Sequence, residues 1–196
     1  MNKSSILVIA RQHIPKQLLT HGFIPTSEKV VLELLDNQNL TFLERNLAEN
    51  DPTFKQLIPY VVIQSPAGVF NYQRGSSSSE SRLRMLRSLG VGGHIEKEDG
   101  GPENNTYWKG LWRELHEEVG LKPSINIKIL GFINDDTNEV GKVHLGIVHL
   151  LTLESNNIAS GEHNLVDCKF SFLNEIIAAS ELFEPWSRIL LPYLEF

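Results

Sequence analysis

The run Arg113-Glu114-Leu115-His116-Glu117-Glu118-Val119-Gly120-Leu121 constrains this chain more than any other segment. A helix turns about 100° per residue. Glu114, Glu117 and Glu118 then fall within about 100° of one another, so three carboxylates share one narrow face. Trp108, Leu111, Trp112, Leu115 and Val119 form a separate apolar face that a core can bury. Like charges at i,i+3 and i,i+4 cost an isolated helix a few tenths of a kcal/mol, about 0.2–0.5 for each pair. A hard divalent cation offsets that repulsion, because Mg²⁺ and Mn²⁺ prefer carboxylate oxygens. A solvated acidic face is the plainer alternative. Gly120 stands where a helix ends best on a residue free to take positive φ.

Upstream, Gly92-Gly93-His94-Ile95-Glu96 closes the apolar run Leu86–Val91. A glycine pair, a loop and then Arg113-Glu114-Leu115, Glu117-Glu118 and Gly120-Leu121 resemble the Nudix box, whose pattern is G-x5-E-x7-R-E-U-x-E-E-x-G-U with U aliphatic. Gly93 and the second half of the box match residue by residue. The front half departs from the pattern: Gly93 to Arg113 spans twenty positions where the family has fourteen, an insertion of six. Counted from Gly93, the position of the family's loop glutamate holds Asp99. Counted back from Arg113, it holds Asn105. Glu96, Glu98 and Glu103 lie nearby, and Asn105 suits a helix N-cap. The resemblance implies a metal site built from Glu117 and Glu118, with Glu114 as a further ligand or as the base for water. A backbone carbonyl of Gly92 or Gly93 would join that shell. Arg113, one turn before Glu117, is expected to orient that carboxylate. In some family members the base stands on a later loop, where Glu162 is the candidate here.

Composition narrows the class. At 196 residues with 41% hydrophobic content, the chain suits one domain with an appendage. Residues 1–55 read as an N-terminal extension and 56–196 as the Nudix-like domain. No run of 18 apolar residues occurs that would span a membrane. The start lacks the small-residue cleavage site of a signal peptide. The lone Cys168 allows no internal disulfide, which suits the cytoplasm, and its strand-like setting suggests a buried small hydrophobe. A net charge of −6 argues against general nucleic-acid binding. One stretch differs: Arg74, Arg82, Arg84 and Arg87 with only Glu80 among them give a basic, serine-rich loop, a candidate for substrate phosphate. His94 beside the glycine pair is a candidate for facing substrate. His144 and His149 read as satisfied core or surface histidines, and no H-x-E or HExxH spacing supports zinc.

Hydrophobic periodicity places strands at Ile6–Ala10 and Leu86–Ile95 and helices at Lys29–Leu35 and Thr41–Asn50. Leu57–Gln64 and Val69–Arg74 form a hairpin about Ser65–Gly68. Tyr107–Val119 is the box helix. Strands follow at Ile125–Ile133, Lys142–Leu153 and Asp167–Phe172, the first two joined by a polar turn over Asn134–Gly141. Helical segments Asn174–Ser180 and Pro185–Leu194 close the chain. Strands on both sides of a central helix imply an α/β/α sandwich on a mixed sheet, the fold the resemblance also implies.

The expected activity, implied by the resemblance, is that of a Mg²⁺- or Mn²⁺-dependent pyrophosphohydrolase. Its substrate would be a nucleoside diphosphate linked to another moiety, or a related soluble diphosphate. Capped or triphosphorylated RNA is a second substrate class, disfavoured by the acidic chain. A Nudix-fold module that senses a nucleotide without turnover is the alternative of a different kind, and a homodimer is compatible with the extension.

Overall fold

The computed structural model describes residues 4–75, 86–100, 105–124, 126–156, 158 and 165–195, with the side chain of Arg74 outside the description. In chain order the strands are β1 (Ser5–Ala10), β2 (Gly22–Pro25), β3 (Leu40–Glu44), β4 (Phe54–Ser65), β5 (Gly68–Arg74), β6 (Arg87–Ser88), β7 (Gly90–Val91), β8 (Ile127–Asn134), β9 (His144–Thr152) and β10 (Leu165–Ser171). The α-helices are α1 (Glu28–Leu35), α2 (Arg45–Ala48), α3 (Thr106–Val119), α4 (Glu139–Val143), α5 (Leu173–Ala178) and α6 (Pro185–Leu190).

All the described strands join one sheet, with the central path β10-β5-β4-β9-β8-β2. The long pair β4 and β9 runs parallel, from Gln56 opposite His144 to Gln64 opposite Thr152, and the other pairs are antiparallel. The sheet is therefore mixed. β4 is buried on both faces because its alternate residues serve two cores. Leu57, Val61 and Ile63 pack with Leu111, Leu115 and Val119 of α3 and with Val31 and Leu34 of α1. Tyr60 and Val62 pack on the other face, with Ile176 of α5 and Leu190 of α6. Helices on both faces make an α/β/α sandwich.

Residues 1–55 supply β1, β2 and β3 to the same sheet. β1 pairs with β4, and β2 extends the far edge beside β8. Within this segment the sequence expectation of a helix over Thr41–Asn50 is replaced by β3 followed by the short α2. Leu43 lies opposite Ile6 and Thr41 opposite Val8, so pairing with β1 overrides the helical spacing. The expected strand over Leu86–Ile95 is likewise broken into β6 and β7. Gly92 takes φ 147°, and a Cβ there would lie 2.1 Å from the Pro59 carbonyl oxygen, so the chain bends close over β4. The expected strand from Lys142 starts at His144 instead, because Asn138 accepts from the Gly141 N–H at 2.9 Å and nucleates α4. Cys168 is exposed, since its side chain projects from the edge strand β10 rather than into the core.

Candidate active site

α3 is held in place from below and at its end. Leu111, Leu115 and Val119 are buried, and the Tyr107 hydroxyl meets Nε2 of fully buried His149 on β9 at 2.7 Å. Burial pushes the His149 pKa down to about 3, so this pair is neutral; its Nδ1 has no partner among the described residues. Gly120 adopts φ 68° and donates to the His116 carbonyl at 3.0 Å while Leu121 N–H donates to Leu115, the left-handed ending the sequence implied. Asn105 stands at the N-cap, although its side chain caps nothing.

This packing leaves the acidic face outward, above a cleft of about 850 Å³ that Glu114 and Glu118 line together with Gly92 and Gly93. Glu114 lies hard against the glycine pair: a Cβ on Gly93 would be 2.6 Å from Glu114 Oε2. The Glu114 side chain is only 15% exposed. Burial is the main influence on its carboxyl and holds its pKa at about 7, against the pull of Arg113 toward ionisation.

Arg113 organises the carboxylates. Its Nη1 donates to Glu114 Oε1 and to Glu117 Oε2, both at 2.9 Å. Its Nε donates to Asp99 Oδ1 at 2.6 Å, and Nη2 donates to Asp99 Oδ2 at 3.1 Å and to the His94 carbonyl at 2.9 Å. Such a two-pronged guanidinium–carboxylate pair is strong and directional. Asp99 is nearly fully buried and reaches the helix because Gly110 has no side chain; a Cβ there would meet Asp99 Oδ2 at 2.6 Å. Glu117 is therefore drawn to Arg113 and does not line the cleft. Among the described residues, no three His, Cys, Asp or Glu side chains gather in a group that could hold a metal ion. The donors suit a hard cation in kind, being carboxylate oxygens beside exposed backbone. In arrangement they are two cleft-facing glutamates and a glycine pair, with Glu117 held one step away.

The other predicted residues fall in different places. Arg87 is 9% exposed; its guanidinium bonds Asn71 and Asp167, and it does not line the cleft. It works as an internal tie between β6, β5 and β10. Arg82, Arg84 and Glu162 lie outside the described residues, as does the side chain of Arg74. The described arginines that do line the cleft are Arg45, from the start of α2, and Arg188, from α6. His94 and His144 also line it, with ring centroids 5.6 Å apart. Burial is the main cause that holds both imidazoles below their ordinary range, His144 at about 4, so both are neutral near pH 7.

Sequence reading missed one further residue, Lys55. Its ammonium is fully buried and donates to Asn134, Asp136, and the carbonyls of Gly141 and His144 at 2.7–3.0 Å. Asp136 is also paired with Arg11. Lys55 thereby fixes the β8–β9 connection, which carries Asp135, Thr137 and Asn138 into the cleft wall. A lysine among the apolar residues of β4 was the available signal.

No protein-family profile matches the chain. It is 35% identical over 200 residues to protein YmaB of Bacillus subtilis strain 168, covering 97% of each chain. Its structure is similar to the crystal structure of Tm1382, described as a Nudix hydrolase candidate, with TM-score 0.79 and 34% identity over 96% of this chain and 97% of that one. A MutT protein from Methanosarcina mazei Go1 shares the fold at TM-score 0.54 and 17% identity, over 71% of this chain and 91% of that one.

Proposed function

Because this chain belongs to the Nudix hydrolase family, we propose that it is a Mg²⁺- or Mn²⁺-dependent pyrophosphohydrolase. Its substrate in this reading is a nucleoside diphosphate linked to another moiety, or a related soluble diphosphate. One observation carries the reading: Glu114 and Glu118 share an 850 Å³ cleft with Gly92 and Gly93, and the Glu114 carboxyl sits at about 7. That value is for the metal-free chain; a divalent cation beside Glu118 would favour the carboxylate form, the form that accepts a proton from water.

In the proposed reaction a water oxygen attacks one phosphorus in line, forming a P–O bond as the bridging P–O bond breaks. The water proton passes to the Glu114 carboxylate, and the leaving phosphate departs with the bridging electron pair. A bound divalent ion would neutralise the diphosphate oxygens and make the water more acidic. Glu118 and the Gly92–Gly93 backbone would hold it, and Glu117 would join by releasing its bond to Arg113. Asp99, which stands at the loop-glutamate position counted from Gly93, fixes Arg113, which in turn sets Glu114 and Glu117.

The test is phosphate release from a panel of nucleoside diphosphate derivatives with Mg²⁺. Glu117→Gln and Glu118→Gln keep side-chain shape and remove a ligand charge. Each should lower kcat by about a hundredfold or more, at or above the largest losses seen for partners one shell further out, with the fold retained. Near-full turnover in either variant would sink the assignment.

A further inference from the structure

Arg45, His94 and His144 meet in the cleft from three separate parts of the chain: α2 of the N-terminal segment, the residue after the glycine pair, and the first residue of β9. The hydrogen bonds around them settle what each can offer. Gln56 donates through Nε2 to the Ala48 carbonyl at 3.1 Å, which turns its Oε1 toward His94. His94 Nε2 lies 2.8 Å from that oxygen and must be the protonated nitrogen, leaving Nδ1 as a lone-pair acceptor. His144 Nδ1 lies 2.7 Å from the Val140 carbonyl, so it carries the proton and Nε2 is the acceptor. Among the described residues neither acceptor nitrogen has a hydrogen-bond partner. Both residues line the cleft.

Arg45 complements them. Its Nε donates to Glu49 Oε1 at 2.8 Å, and its two terminal nitrogens bond no described residue. The cluster thus presents a cationic fork beside two acceptor nitrogens. A bare anion would use the fork alone; a bare polyol would use the acceptors alone. A phosphorylated sugar uses both, its phosphate oxygens taking the guanidinium N–H groups and its hydroxyls donating to the imidazole nitrogens.

We infer that Arg45, His94 and His144 form a recognition subsite for a sugar phosphate, whose phosphate is one of the two in the substrate's diphosphate. The inference rests on this cleft being where the diphosphate binds. It moves specificity into the N-terminal segment, because Arg45 belongs to residues 1–55.

Calorimetric binding to the metal-free full chain tests it, with ribose 5-phosphate, inorganic phosphate and ribose as probes. Ribose 5-phosphate should bind at least about tenfold more tightly than either part, and Arg45→Ala should weaken both phosphate-bearing probes by about tenfold or more, the scale of one charge-assisted hydrogen bond. Lys29→Ala, at an exposed cation of α1 outside the cleft lining, should leave all three unchanged. In the unaltered protein, nitrogen-15 signals of the two acceptor nitrogens should shift with ribose 5-phosphate and stay put with phosphate. That measurement stands even where an Arg45 or His144 variant folds poorly. Equal binding of phosphate and ribose 5-phosphate, unmoved imidazole signals, or loss of binding in Lys29→Ala rather than Arg45→Ala would each overturn the subsite. Failure of the hydrolase reading looks different: sugar phosphate binding intact, with no phosphate released from any diphosphate.

Discussion

Replacing Gly110 by alanine should destabilise this protein, although the same change inside an ordinary exposed helix stabilises it. Gly110 lies in the middle of α3, where alanine gains about 1 kcal/mol of helix propensity. Here the new Cβ would lie 2.6 Å from Asp99 Oδ2 and 2.7 Å from Ile95 Cδ1. Neither neighbour has room to move. Ile95 is 1% exposed within the main core. Asp99 Oδ2 accepts from the Glu96 N–H at 2.7 Å as well as from Arg113, and Oδ1 takes the Arg113 Nε proton. Overpacking typically costs about 1–3 kcal/mol, and disrupting a buried ion pair about 3–5 kcal/mol. Partial strain in both outweighs the propensity gain, for a net loss of about 1–3 kcal/mol. Urea unfolding monitored by tryptophan fluorescence reads this as a lower midpoint at constant slope. Turnover should fall too, since a displaced Asp99 releases Arg113 and with it Glu114 and Glu117. Asp99→Asn, which removes the charge and adds no bulk, should reproduce the kinetic loss. A Gly110→Ala protein more stable by about 1 kcal/mol would refute the argument, because it would show an open helix position with no Asp99 behind it.

Two further outcomes follow from the buried charges. Burial raises the Glu114 pKa to about 7 in the folded chain, so its proton is held more tightly folded than unfolded. The group is neutral toward folding below about pH 4.5, and its cost grows as pH rises to about 7, reaching roughly 3 kcal/mol for the metal-free protein. Melting temperature without metal should therefore fall between about pH 5 and pH 8. Glu114→Gln should flatten that fall, and an unchanged slope in this variant would assign the effect to other groups. Lys55→Met should cost about 3–5 kcal/mol, since it leaves Asn134 and two carbonyls without their donor, about 1–3 kcal/mol for each buried group, while Asp136 keeps only Arg11. Its loosened cleft wall should raise KM more than it lowers kcat, and a wild-type melting curve would show that the ammonium pins nothing.

Local pattern was enough for the central elements. The acidic and apolar faces of α3, its ending at Gly120, the hairpin of β4 and β5 and the α/β/α layering all follow from spacings of two and 3.6 residues and from turn chemistry. Such patterns say which face of an element is buried, but not what lies opposite it. Thr41–Glu44 reads as helix in isolation and becomes a strand because β1 offers it a ladder of hydrogen bonds. Arg87, which looked like a free cation in a basic loop, is spent on Asp167, eighty positions away. Asp99 meets Arg113 across the insertion, and Lys55 reaches the β8–β9 connection because β4 and β9 run parallel in register. The cleft itself is walled by residues from His21 to Ile189, brought together by sheet order alone. The carboxylates were legible because one helical turn sets their spacing. Their partners were not, because sheet register and chain crossing, which no local spacing encodes, decide which charges meet.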